Sequence, residues 1–161
     1  MPWGGVAGQT TDVDCMLALE NSMPFNLDRF TTAQDRTYDD VLRELRAGRK
    51  ASHWMWFIFP QLKGLGRSET AQYYGIASLD EARAYLDHPL LGARLRECLS
   101  ALQELAPVTA EAVFGSLDAT KFRSSLTLFA AADPADRAIA EALQRWFAGK
   151  QDGATLQLLD R

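Results

Sequence analysis

The residues best suited to chemistry fall in two short windows. The first runs Arg49-Lys50-Ala51-Ser52-His53 and leads into the apolar run Trp54-Met55-Trp56-Phe57-Ile58-Phe59, then Pro60-Gln61. Two cations beside a histidine suit an anionic group, phosphate or carboxylate, with His53 able to move a proton near neutral pH. The second window holds Asp118, Lys121, Ser124 and Ser125. At helical spacing, Asp118, Lys121 and Ser125 share one face, and a lysine between an aspartate and a serine can tune either one. Each cluster also has a purely structural reading. Arg49, Lys50 and His53 suit a solvated helix edge, and Asp118 with Lys121 suits an intrahelical pair flanked by serines that bond back to carbonyls.

Between the windows lies Gly64-Leu65-Gly66-Arg67-Ser68. Two glycines ahead of a helix start can turn backbone N–H groups toward an anion. The same residues also make a tight turn with Ser68 as the helix cap. Neither nucleotide fingerprint is present. Glu69 stands where a dinucleotide motif needs its third glycine, and no Gly-Lys-Ser or Gly-Lys-Thr ends a phosphate loop. Trp54, Trp56 and the Tyr73-Tyr74 pair offer faces on which a ring can stack, although core packing is the commoner use of aromatics. His88, before Pro89, reads as a cap. No Gly-x-Ser-x-Gly elbow points to a serine hydrolase.

Composition narrows the classes. The chain has 161 residues, 47% of them hydrophobic, enough for one domain with a proper core. Its 17 basic against 21 acidic residues give a net charge of -4, which argues against general binding to nucleic acid or anionic membrane. Cys15 and Cys98 form no CxxC pair, and with two histidines they argue against a zinc site. No metal or other cofactor is expected. The cysteine usage fits a reducing cytoplasm, with one disulfide left open. The N-terminus lacks a secretory pattern, and no apolar stretch approaches the roughly 20 residues of a membrane helix.

The elements that position these residues read as helices. Leu27, Phe30, Gln34, Tyr38, Val41, Leu42 and Leu45 recur at spacings of three and four, with Gly48 just past the end. Residues 49–59 cannot be phased as helix or strand, and Pro60 ends them. Ser78 to Glu81 is a capping box. His88-Pro89 opens a helix carrying Leu91, Leu95, Cys98, Leu99 and Leu102 on one face. A short helix over 109–114 stops at Gly115, and Ser116 opens the next, through Ala131. Asp133-Pro134 opens another that Gly149 closes, and Asp152-Gly153 precedes a last turn over 155–159. The expected fold is all-α, a compact single-domain bundle of about seven short to medium helices. Residues 1–26 read as a flexible leader, with one or two helical turns at 15–20, ahead of a single domain over 27–161.

Several words of the sequence resemble one known family. They are Arg-Ala-Gly-Arg-Lys-x-x-His-Trp-Met-Trp-Phe-Ile-Phe-Pro-Gln-Leu over 46–62, Gly-Leu-Gly-x-Ser over 64–68 and Tyr-Leu-x-His-Pro-Leu-Leu-Gly-x-Arg-Leu over 85–95. Phe-Gly-x-x-Asp-x-x-Lys over 114–121 and Ser-Ser-Leu-Thr-Leu-Phe over 124–129 complete the set. The family is the mainly bacterial domain of unknown function 1810, and the likeness runs from Leu27 to Leu159. It implies a mainly α-helical single domain and no particular activity. Its words keep Lys50, His53, Gln61, Ser68, Asp118, Lys121, Ser124 and Ser125, polar residues that a core does not require.

Two functions follow as expectations. In the first, the protein binds or processes a small anionic metabolite of nucleotide or ADP-ribose type. Arg49, Lys50, Gln61, Gly64, Gly66, Ser68, Ser124 and Ser125 would hold it, and Trp54, Trp56 or Tyr74 would stack its ring. His53, Asp118 and Lys121 would be the catalytic set if a reaction follows. In the second, the chain is a non-catalytic interaction or regulatory module that offers a groove between helices.

Overall fold

The computed structural model describes residues 25–160, so the leader expected over 1–26 lies almost wholly outside the described residues. Nine helices form there: α1 (Asp28–Ala47), α2 (Met55–Ile58), α3 (Glu69–Tyr74), α4 (Leu79–Asp87), α5 (Leu91–Gln103), α6 (Ala110–Phe114), α7 (Ser116–Ala132), α8 (Arg137–Phe147) and α9 (Gly153–Leu159). Among the described residues the only strand-like pairing is an isolated parallel bridge between Leu62 and Ile76. The all-α single domain expected from sequence is what forms. The count rises to nine because a single turn, α2, forms inside the aromatic run that could not be phased, and the short aromatic segment over 70–75 forms α3.

Helix α7 is the hub. It packs against α4, α6, α8, α9 and α2, while α1 packs on α5 and α2. Because it has neighbours on so many sides, α7 buries polar and apolar residues alike, including Phe122, Ser124, Ser125, Leu126, Thr127 and Phe129. The run over 49–59 resolves into an irregular segment and the single turn α2. Phe59 leaves the helical region, with φ -124° and ψ 71°, as the clash with the Pro60 ring favours. Around α2, Phe59 and Phe114 each pack on Phe122 with ring centroids 4.8 Å apart.

Several helix starts differ in detail from the sequence reading. Ser78 accepts from the Glu81 amide at 3.1 Å, but the Glu81 carboxylate turns back to the Ala77 amide at 2.7 Å. The next helix begins at Leu91, two residues after Pro89, and the His88 imidazole Nδ1 accepts from the Leu90 and Leu91 amides at 3.1 and 3.2 Å. Asp133 caps no helix. Its carboxylate accepts from the Ala135 amide at 3.2 Å, and Asp136 caps α8 instead.

Guanidinium groups tie the helices together. Arg29 forms a buried ion pair with Glu81 at 2.9 Å and donates to the Tyr73 and Gly75 carbonyls, joining α1 to the α3–α4 corner. Arg145 of α8 donates to the Leu102, Gln103 and Leu105 carbonyls, satisfying the open end of α5. Where α4 turns into α5, a Cβ at Gly92 would stand 2.1 Å from the Leu86 carbonyl oxygen. Gly92→Ala should therefore lower stability by about 2 kcal/mol or more, against the usual helix preference for alanine. Gly153→Ala, where a Cβ meets nothing within 4 Å, should be neutral or slightly stabilising. Urea melts of the two variants check the contrast.

Candidate functional site

The candidate site begins at the end of α1. Past Gly48, the Lys50 amide donates to the Val113 carbonyl at 2.8 Å, which pins the chain to α6. Glu44, buried on α1, then organises the next four residues. Its Oε1 accepts from the Ala51 amide at 2.7 Å, the Ser52 amide at 2.9 Å and the Trp54 indole Nε1 at 2.9 Å, and its Oε2 accepts from the Ser52 hydroxyl. Burial by itself would raise this carboxyl. The hydrogen bonds from Ser52, Ala51 and Trp54 outweigh burial and bring its pKa down to about 2.

With the turn fixed, the Lys50 ammonium reaches back over the Trp54 face, 5.0 Å from the ring centroid, and donates to the Ser52 carbonyl at 2.5 Å. It also meets Asp118 Oδ2 at 2.8 Å, while Lys121 approaches Asp118 Oδ1 at 3.5 Å from one turn further along α7. Lys121 in turn lies over Trp56, 5.1 Å from the ring centroid. One carboxylate thus holds two ammonium groups, each seated on an indole, and one positive charge is left over. These groups, with His53 at the rim, line a cleft of about 370 Å³. Its other wall is the start of α7, Gly115, Ser116 and Leu117, where Gly115 takes φ +83° and no side chain caps the helix. Uncapped N–H groups and a net positive charge make this end of the cleft favourable for an anion.

Lys50, His53, Trp56, Asp118 and Lys121 come together as the sequence windows suggest. Several other candidates do not join them. Trp54 is fully buried, bonded to Glu44 and covered by Lys50, so no ring can stack on it. Arg49 is exposed and does not line the cleft. Gln61 does not line the cleft, and its backbone carbonyl accepts from the Ile76 amide at 2.9 Å. Gly64 faces Leu158 of α9, Gly66 sits against Ala71, and Ser68 caps α3 by accepting from the Ala71 amide at 3.1 Å. That stretch is a structural turn, because the Ser68 hydroxyl and the Arg67 and Ser68 carbonyls accept from α3 and its glycines allow close packing. Ser124 and Ser125 are buried within α7. The Ser124 hydroxyl donates to the Thr120 carbonyl at 3.1 Å, and the Ser125 hydroxyl is buried without a partner. Ser125 shares a face with Asp118, but both serines lie deeper, where neighbouring helices cover them. Tyr74 lines a second cavity of about 580 Å³, which shares His53 and Trp56 with the first.

Sequence reasoning missed Glu44, which looks like any charged residue on the outer part of an amphipathic helix. It also missed the start of α7 as a cleft wall. The signal was there, since a lone glycine between two helices, inside the word Phe114-Gly115-Ser116, marks a sharp change of direction. Lys121 stands beside Asp118, and among the described residues no hydrogen bond or ion pair joins His53 to either of them. Burial pushes the Cys98 thiol up to about 12, which leaves it unreactive.

With this geometry in hand, the chain can be set beside known proteins. Residues 24–159 match the family described as protein of unknown function (DUF1810). The chain belongs to this family. The match starts three residues before Leu27 and takes in every helix described above. Among solved structures, the conserved hypothetical protein Rv1873 from Mycobacterium tuberculosis is 48% identical. The likeness covers 86% of this chain and 99% of that one, with a TM-score of 0.84. No curated protein matches. The residues matched to the DUF1810 family include Lys50, His53, Asp118 and Lys121.

The ion network predicts graded effects on stability. The Lys50 and Asp118 side chains are 7% and 21% exposed and Lys121 is 32% exposed. Asp118→Ala should cost about 2 kcal/mol by stranding Lys50, and Lys121→Ala less than about 1. Glu44→Gln should cost about 2–3 kcal/mol, since it removes a charge that accepts four hydrogen bonds. The Glu44 carboxyl is depressed in the fold, so its contribution is complete above the unfolded value of 4.5 and is lost as pH falls toward about 2. Denaturant melts between pH 7 and pH 2.5 should show a steeper acid loss in the parent than in the Gln variant.

Proposed function

We propose that the protein binds a small anionic metabolite carrying an aromatic ring, of nucleotide or ADP-ribose type, in the cleft between α2 and the start of α7. The single observation that supports this most is the Lys50–Asp118–Lys121 network. Its three side chains sum to one positive charge beside uncapped helix amides, next to Trp56, a half-buried ring that Lys121 overlies. A phosphate at the α7 end would take hydrogen bonds from the Ser116 and Leu117 amides and charge from Lys121. A base would lie along Trp56 toward Tyr74, where the neighbouring cavity opens. His53, at the junction of the two cavities, is placed to contact the bond between phosphate and ring. In that position it could transfer a proton if a reaction follows. Asp118 acts here mainly by orienting the two lysines. No metal or other cofactor is invoked, and the acidic balance of the chain with its unpatterned cysteines supports a cytoplasmic setting without nucleic-acid or membrane partners.

A second reading, a non-catalytic interaction module, has one observation in its favour. Leu117 and Tyr73 are 79% and 56% exposed at the edges of the two cavities. Two separate side chains make a small apolar surface, well short of an extended docking patch.

Titration calorimetry with AMP, ADP-ribose, inorganic phosphate and adenosine checks the proposal. AMP and ADP-ribose should bind in the micromolar range, adenosine and phosphate far more weakly. Lys121→Ala should weaken AMP about tenfold while the Tm changes little. No heat from any of the four compounds at millimolar concentration would turn the reading toward the interaction module.

A further inference from the structure

The cavity of about 580 Å³ beside the cleft is walled mainly by rings. Trp56, Phe57, Tyr73 and Tyr74 line it, and Tyr73 is the most open of the four. Their planes differ. Tyr73 stands at 82° to Tyr74 with centroids 4.8 Å apart, and Phe57 at 51° to Tyr74 with centroids 5.5 Å apart. The face of an aromatic ring is negative, so several rings around one space attract an organic cation. The protein already uses this attraction twice, with Lys50 on Trp54 and Lys121 on Trp56 at 5.0 and 5.1 Å from the centroids. Lys121 lines the cleft and not the cavity, which leaves the cavity side of Trp56 to another group.

The charges around the cavity act in the same direction. Among the described residues that line it, Glu69 is the one carboxylate and there is no lysine or arginine. Arg29 and Arg36 line the next cavity along α1, and Arg29 is paired with Glu81. Glu69 is exposed in the first turn of α3, and among the described residues it makes no ion pair and no side-chain hydrogen bond. An acid suits the start of any helix, but α3 has six residues and Ser68 already caps it, so the fold gains little from this one. Aromatic walls with a free carboxylate at their edge favour a positive group over a neutral one.

We infer that the cavity takes a positively charged ring, a pyridinium or an N-alkylated purine, held against Trp56 and the two tyrosines with Glu69 as its counter-charge. The inference rests on the nucleotide reading above and narrows it to nucleotides with a cationic base. One ribose joins a nucleotide's phosphate to its base, and Lys121 already touches Trp56, so a phosphate on Lys121 keeps the base beside that ring. The same phosphate offsets the Lys121 charge, which would otherwise repel a cation nearby.

Two methylated forms of AMP separate this inference from the reading beneath it. A methyl group on ring nitrogen N1 gives adenine a positive charge at neutral pH. The same methyl on the exocyclic N6 gives a neutral isomer of identical composition, which controls for size. Titration calorimetry should show 1-methyl-AMP binding about tenfold tighter than AMP, and the N6 isomer no tighter than AMP. Glu69→Gln should remove most of the advantage of 1-methyl-AMP over AMP, whereas Lys121→Ala should weaken both. Glu69 is exposed and unpaired among the described residues, so the Gln variant should melt with the parent. Equal affinity for 1-methyl-AMP and AMP, an N6 isomer as tight as 1-methyl-AMP, or an unchanged advantage in Glu69→Gln would overturn the cationic-ring site and leave the Lys121 cleft standing. Binding of none of the three nucleotides would overturn both.

Discussion

A single buried carboxylate sets the geometry on which the cleft depends. Glu44 sits where α1 ends, and it collects the amides of Ala51 and Ser52, the Ser52 hydroxyl and the Trp54 indole. A segment with no regular structure of its own would otherwise leave those donors unsatisfied against the core. By accepting all of them, Glu44 turns the chain so that Trp54 goes inward and His53 outward. It also sets Lys50 on the indole face opposite Asp118. The low pKa of Glu44 is the thermodynamic sign of the same arrangement, since four donors favour the charged form over the penalty of burial.

The Lys50–Asp118–Lys121 network has two roles that cannot be fully separated. Lys50 is nearly covered, so its pairing with Asp118 compensates a charge the fold has already removed from water. Lys121 is more open and its approach to Asp118 is longer, so its charge is available to a ligand. The inner lysine holds the carboxylate in place, and the carboxylate positions the outer lysine. A site built this way stands on rigid elements, because Trp54, Phe59, Phe114 and Phe122 form a packed aromatic base beneath it.

The same logic of side chains satisfying exposed ends of backbone recurs elsewhere. Arg145 closes the carbonyl end of α5, Arg29 joins α1 to the α3–α4 corner, and the His88 imidazole caps α5. These contacts connect residues far apart in sequence. They let short helices, each too short to be stable alone, form one cooperative unit around α7.

The sequence by itself determined the helical class, most helix positions and the two windows that meet in the cleft. Those signals are local: the spacing of Phe30, Val41 and Leu45, the Ser78 cap, and glycines at the helix ends act within a few residues. Tertiary structure alone decided which polar residues face the cleft and which serve the fold. Trp54, Ser124 and Ser125 carry the same chemistry as residues at the site, yet the serines are buried because α7 is covered on nearly every side, and Trp54 because Glu44 draws its indole inward against Phe59 and Phe114. Gly64, Gly66 and Ser68 carry an anion-binding pattern, yet Ser68 spends its hydroxyl and carbonyl oxygens on the start of α3, and the two glycines pack against Leu158 of α9 and Ala71 of α3. Glu44 was hidden for the opposite reason, since its donors come from the following turn and not from its own helix. Periodicity reports which side of a helix is apolar, and it carries no information about which distant segment will lie against it.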